Sequence, residues 1–421
     1  MIHLRNHPAY PYLLRILLVG VVLLLALLIM NVWHMIGYNS PGTTDLVAYW
    51  TAGQLLLAGQ SPYDFDRLYQ LQLELGSQNM VPTSVWNPPW LLLWIFPLLL
   101  LAFPLAATVW LVLNFGLIIA CGTLIWRTLA GASAAKQIGI AWIAAVAFLP
   151  SLFTLGMGQI SSIVLLGVVG FLYFASQDRD FLAGLCLALT TIKPHVVYLL
   201  WIAVAWWIIA GRRWKTAAGA ASLLLPSIGL LLLRWPASVS GYMTVLQHPP
   251  VSYAAPTVGI VLRLLVFGGA EGTQFLPSLA AGVSVLGYLL IRRPTLKWKT
   301  AISPLLLLSV ATAAYGWSFD YIVLLVPFIQ IIIWLIEEHG MAIRHKATAF
   351  SSLLLITAVM AVQKRLMMND VFFFWMPWAL GVVYLYARPA NKSSATLRRA
   401  QDIRSGRRTG ETGFRATKSL P

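Results

Sequence analysis

This chain has little charge, and acidic charge above all is missing. Asp, Glu, Lys and Arg make up 10% of its 421 residues, and only 13 are acidic against 29 that are basic. A soluble domain carries about 25% charged residues. With 59% of residues hydrophobic and a mean hydropathy of +0.78, a soluble globular fold is excluded. Cysteine is nearly absent too. Cys121 and Cys186 lie in separate apolar runs with no neighbouring Cys or His, so they read as small core residues, and neither a disulfide nor a metal centre is implied. No internal repeat is visible, which counts against the inverted-repeat transporters. No small-residue cleavage site follows the first apolar run, Leu13 to Ile36, which therefore reads as a retained anchor.

What is present is a succession of apolar runs of ~20 residues, the length a helix needs to cross about 30 Å of hydrocarbon. Strand-like alternation does not occur, so the spans are helices. The expected spans are 13–36, 104–126, 138–155, 159–176, 181–193, 195–210, 216–233, 274–291, 300–317, 320–336, 347–363 and 371–387. The stretch 86–102 is apolar enough to cross but is broken by Pro88-Pro89 and Pro97. Basic residues decide its placement. With the N-terminus inside and 86–102 kept out of the bilayer, 23 of the 29 Lys and Arg residues fall on the inner side, nine of them after Tyr386. Only Arg67, Lys193, Arg234, Arg263, Lys364 and Arg365 stay outside, as the positive-inside bias requires.

The expectation is an all-α polytopic membrane protein of about 12 transmembrane helices over residues 1–387. A basic tail, 388–421, follows; it is expected to be cytoplasmic, disordered and drawn to anionic lipid head groups. The net charge of +16 thus follows from membrane topology, and no nucleic-acid partner is expected.

Two outer loops stand out by length, 37–103 and 234–273. The first holds helical stretches near Leu46–Ala58 and Asp66–Leu75, then Trp86-Asn87-Pro88-Pro89-Trp90. The second holds Trp235, Tyr242, His248, Tyr253 and Arg263. Shorter outer turns contain Gly158-Gln159, Lys193-Pro194-His195 and Trp317 to Tyr321. Polar groups beside a bilayer are costly unless they line a cavity or pair with one another, and these gather on one membrane face.

Several residues are candidates for chemistry, each beside a plainer reading. Asp45 opens a helix-like run and reads equally as an N-cap and as a fixed carboxylate base. Asp64-Phe65-Asp66 spells the Asp-X-Asp pattern of metal-dependent sugar transferases, but Ser-Pro-Tyr-Asp also reads as a turn and helix cap. No cofactor is expected, and a divalent metal is not supported. Lys193, at a proline break in a long apolar run, either snorkels to the surface or meets an anion such as phosphate. His195 beside it is a surface anchor, a phosphate donor or a proton carrier. Asp320 is a lone carboxylate wanting a partner, with Arg263, Lys193 or a substrate hydroxyl available. Gln159 offers hydrogen bonds to sugar hydroxyls, or merely completes a tight turn.

In order and spacing these pieces resemble glycosyltransferase family 87, whose polyprenyl-phosphate-sugar-dependent enzymes have the GT-C membrane fold. The matching residues are Asp45 with Tyr49, Ala52 and Gly59; Ser61-Pro62-Tyr63; Asn87-Pro88-Pro89; Gly158-Gln159; Ala183-Gly184 leading into Ile192-Lys193-Pro194; and Trp317 to Tyr321. The resemblance implies an inverting transfer of a sugar, usually mannose, from a polyprenyl-phosphate carrier to a glycolipid or glycan acceptor on the extracytoplasmic side of the plasma membrane. It makes Asp45 the base. Donor phosphate binding is then expected at Lys193, His195 and Arg263, and substrate contacts at Gln159, Asp320, Tyr63 and Tyr49. One departure is that the family often has His in the late outer turn where this chain has Asp320. A multi-span transporter or lipid flippase is the alternative, with Lys193 and Asp320 as a pathway pair; a binding or assembly protein without chemistry is a third reading.

Overall fold

The computed structural model describes residues Asp45–Pro389 other than Gln78 and 248–253. The expected first span 13–36, the tail from 390 onward, His248 and Tyr253 lie outside the described residues. The described residues are mainly helical, with no strand among them. Seven helices are long and apolar enough to cross a membrane, and an eighth crossing is made if Ile138–Ala147 and Leu149–Met157, bent by 59°, count together.

Every described segment expected to span is helical, but among the described residues only seven or eight crossings meet the length criterion, so the count of twelve is not confirmed. Ser161–Ala175, Asp180–Ile192 and Trp298–Thr312 are apolar helices too short for that length criterion. Their shortness has local causes. Gly158 adopts a left-handed conformation (φ +67°) and stops the helix before it, the usual role of a glycine just past a helix end. Pro194 has no N–H to continue a helix, and Lys193 just before it is extended at φ −143° and ψ 64°. The chain around Lys193 is accordingly two short 3-10 segments, Leu189–Ile192 and Pro194–Val197.

The stretch 86–102 holds no helix long enough to cross. It forms two short helices, Trp90–Trp94 and Phe96–Leu99, with Pro97 in the first turn of the second. Upstream, Leu46–Leu57 and Phe65–Glu74 occupy the two expected loop helices. Asp64 caps the second through a bond from the Arg67 N–H at 3.1 Å. Both Asp64 and Asp66 are exposed, so the cap reading is realised at Asp64.

Close packing fixes the helix that delivers Lys193. Asp180–Ala188 lies against Trp214–Arg234 through Gly184 and Gly219. A methyl group on either glycine would overlap the facing backbone carbonyl, that of Thr216 or Phe181. Small residues that let backbones touch are the usual device for joining helices where lipid removes the hydrophobic drive. Elsewhere the apolar surface faces outward: Leu276, Leu279, Val283, Leu286 and Leu290 are all exposed along Leu276–Arg292. A stripe of that size at helical spacing suits a hydrocarbon surround.

Candidate functional site

The broken segments and the loop meet at one end of the bundle. The Asp45 N–H donates to the Met157 carbonyl at 2.9 Å, so the start of the loop helix is seated on the end of Leu149–Met157. One turn apart on the long span Phe103–Leu129, Trp110 Nε1 donates to the Gly158 carbonyl and Asn114 Nδ2 to that of Gln159, each at 2.9 Å. The helix break at Lys193 is closed from the loop. Asn87 Nδ2 donates to the Ile192 carbonyl at 2.8 Å, and Trp90 Nε1 to Thr191 Oγ1 at 3.1 Å. Asn87 is in turn held by Tyr63, whose hydroxyl donates to the Asn87 carbonyl at 2.7 Å.

With those backbones fixed, six side chains form one network. Gln159 is its centre. Its Nε2 donates to Asp45 Oδ2 at 2.6 Å, while its Oε1 accepts from Tyr49 Oη at 3.1 Å and from Lys193 Nζ at 2.9 Å. Lys193 Nζ also donates to Ser161 Oγ at 3.0 Å and pairs with Asp320 Oδ1 at 2.7 Å. Ser161 Oγ donates to the same Asp320 oxygen at 2.7 Å. Asp320 Oδ2 accepts the Trp317 N–H at 3.1 Å. Lys193 and Asp320 are buried at 5% and 2% exposure, and all three ammonium hydrogens have acceptors, as a buried charge requires. The ammonium also lies 4.7 Å from the Phe319 ring centre.

Asp45 differs. Its side chain makes no capping bond at the helix start, so the carboxylate is held by Gln159 rather than by backbone amides. No partner for Oδ1 exists among the described residues. Burial pushes this carboxyl up to about 6, opposed by the Gln159 bond and the charge of Lys193; Asp320 raises it and Lys364 lowers it. Burial also raises the Tyr49 phenol well above its usual value, so its O–H stays intact as a donor.

Asp45, Tyr49, Gln159, Lys193 and His195 all line a cavity of about 510 Å³. Its aromatic walls are Trp86, Tyr242, Tyr315, Trp317 and Phe319, and residues 79–84 of the first loop form one side. His195 packs on the Tyr315 ring at 4.4 Å between centres, and its Nε2 is buried without a hydrogen-bond partner among the described residues.

The remaining expected site residues lie off the wall. Asp320 sits behind Lys193. Tyr63 sits behind Asn87, its ring 5.7 Å from that of Tyr242. Arg263 is buried on Val258–Leu265 and does not line the cavity. No group of three or more His, Cys, Asp or Glu residues among those described is placed to hold a metal. Sequence reasoning placed Ser161 in the outer turn after Gln159 but gave it no role, and it passed over Asn114. Asn114, an amide inside a long apolar span, was the one visible signal, because such a group needs a partner.

A family model described as glycosyltransferase family 87 matches residues 86–310. The match takes in Asn87, Gln159, Lys193 and His195, and leaves Asp45, Tyr49 and Asp320 outside its limits. No curated protein and no solved structure gives a match.

Proposed function

Because the chain belongs to glycosyltransferase family 87, we propose that this cavity transfers a sugar, most simply mannose, from a polyprenyl phosphate to a hydroxyl of a glycolipid or glycan. The observation that carries the reading is Asp45: one carboxylate oxygen is held by Gln159, and the other has no partner among the described residues, on the wall of an aromatic-lined cavity. That is the arrangement a general base needs, namely a fixed direction and a free lone pair.

The step is a single displacement. The acceptor hydroxyl gives its proton to Asp45 Oδ1 as its oxygen bonds to the anomeric carbon. The bond from that carbon to the phosphate oxygen breaks, and polyprenyl phosphate leaves with the electron pair. A phosphate leaving group needs no proton, so one carboxylate suffices where glycoside hydrolysis uses two. His195 Nε2, buried and without a partner among the described residues, supports the role of hydrogen-bond donor to that phosphate. Lys193 adds positive potential nearby, though its hydrogens are engaged. Trp86, Tyr242 and Trp317 offer flat faces for sugar rings. On the charge distribution of the loops the cavity opens on the extracytoplasmic side of the plasma membrane, with both termini cytoplasmic.

Purified protein in lipid nanodiscs, given labelled polyprenyl-phosphate mannose and a membrane glycolipid extract, tests this directly. Label should move to the glycolipid with wild type and not with Asp45→Asn. Transfer that survives the substitution sinks the assignment. The transporter alternative took Lys193 and Asp320 as a pathway pair; their 2.7 Å contact, saturated on both sides, gives it no support.

A further inference from the structure

We propose that Lys193, anchored by Asp320, is a positioning residue for Asp45, acting through the Gln159 amide without touching substrate. The proposal rests on Asp45 being the base, and it concerns what sets the strength and aim of that base.

The argument starts from the amide. A glutamine side chain is nearly symmetric in shape, and its two ends differ only in what they can bond: the oxygen accepts and the nitrogen donates. At Gln159 the two ends face opposite demands. Lys193 Nζ at 2.9 Å is a donor alone, and Tyr49 Oη at 3.1 Å brings a second donor to the same atom. Asp45 Oδ2, on the far side at 2.6 Å, is an acceptor alone when ionised. Turning the amide over would set N–H against ammonium and oxygen against carboxylate, and only the Tyr49 hydroxyl, which can accept as well as donate, could keep its bond. Lys193 therefore decides which way Gln159 points, and Gln159 decides which Asp45 oxygen is bound and which is open.

Lys193 can do this only because it is held in turn. Asp320 Oδ1 and Ser161 Oγ take its other two hydrogens, and Asp320 is itself fixed by Ser161 and the Trp317 N–H. The ion pair is thus a buried brace ending at the base. The groups that bear on Asp45 are Tyr49 on its own helix, Gln159, and the charges of Lys193, Asp320 and Lys364 from three other segments. Lys193 favours the ionised carboxylate and Asp320 opposes it, so removing one or the other moves the base in opposite directions.

The test is the pH profile of kcat/KM for the full chain in nanodiscs with labelled polyprenyl-phosphate mannose. In Lys193→Met the acid limb should move up by roughly one pH unit, and in Asp320→Asn down by roughly one, the range expected of a charge a few ångströms away. Lys193→Arg should recover part of the loss. A merely structural pair would lower activity in both without opposite shifts, and limbs that stay put or move the same way overturn the proposal. Should either single variant fail to fold, the double variant Lys193→Met/Asp320→Asn removes both charges. Its limb should return close to that of the wild type, while kcat falls about tenfold because the amide has lost its anchor; full kcat in the double variant overturns the brace. Transfer surviving in Asp45→Asn would instead remove the parent reading, whereas loss of transfer in Asp45→Asn with unshifted limbs in the other variants removes the brace alone.

Discussion

Asp45 and Asp320 end the same hydrogen-bonded chain, yet their surroundings differ in kind. Asp320 is 2% exposed, and both its oxygens are bonded, to Lys193 and Ser161 on one side and to the Trp317 N–H on the other. Asp45 is half-buried, with one oxygen bonded and one without a partner among the described residues. A carboxylate that holds structure is strongest when saturated, because each unmet lone pair in a dry place is a cost. A carboxylate that takes a proton needs a vacancy. Within a few residues of each other in space, the chain builds one saturated carboxylate and one, the proposed base, with an oxygen left open among the described residues.

That contrast is broken or sharpened most forcefully by Asp45→Asn. Losing a general base should cut transfer by about 10²–10⁴-fold and leave the melting temperature near that of the wild type. Asp320→Asn should show the reverse emphasis in stability, because it leaves a buried ammonium without its counter-ion. Breaking such pairs costs roughly 3–5 kcal/mol, which a thermal unfolding scan in detergent would register as a clear drop in Tm. Equal melting curves for the two variants would erase the distinction. The pH dependence comes next. A base at Asp45 would act only when ionised, and its carboxyl is raised to about 6, so transfer should be flat above that pH and fall below it. An acid limb near the ordinary carboxylate value of about 4 would mean that burial does not set this base.

Smaller effects refine the picture. Tyr49→Phe removes one of the two donors on Gln159 Oε1 while Lys193 remains, so about 1 kcal/mol and a less than tenfold loss of turnover are expected. Asp64→Ala should be smaller still: it removes a helix cap worth about 1 kcal/mol and leaves turnover unchanged. A large loss restored by added divalent ion would instead make the Asp64-Phe65-Asp66 motif a metal site.

The architecture was legible because its signals are local. Runs of apolar residues marked the helices, and the count of basic residues argued for keeping 86–102 out of the membrane; its helices Trp90–Trp94 and Phe96–Leu99 are too short to cross by themselves. The loop helices near Leu46–Ala58 and Asp66–Leu75 were placed within a residue or so of their observed bounds. The number of spans was harder, since Gly158 and Lys193-Pro194 cut apolar runs into pieces that composition alone joins.

The site was legible in membership more than in wiring. Asp45, Gln159, Lys193 and Asp320 were all named, but Asp320 had three candidate partners, and only distance across the fold selects Lys193. Arg263 looked as suitable for phosphate as Lys193 by residue type, yet it lies away from the cavity wall. Ser161 gave no sign of its role, because a serine after a glycine-rich turn looks like any other helix start.

The brace also has a consequence for biosynthesis. Lys193 leaves the ribosome 127 residues before Asp320, so its apolar run must enter the bilayer while the ammonium still lacks its counter-ion. Until the segment around Asp320 arrives, that cation has only polar neighbours such as Gln159 and Ser161, and a lysine in that state is drawn toward the water boundary. The closing of the pair then marks completion of the chain. Nascent chains stalled before residue 320 should leave Lys193 open to an amine-reactive label, and the full-length protein should protect it.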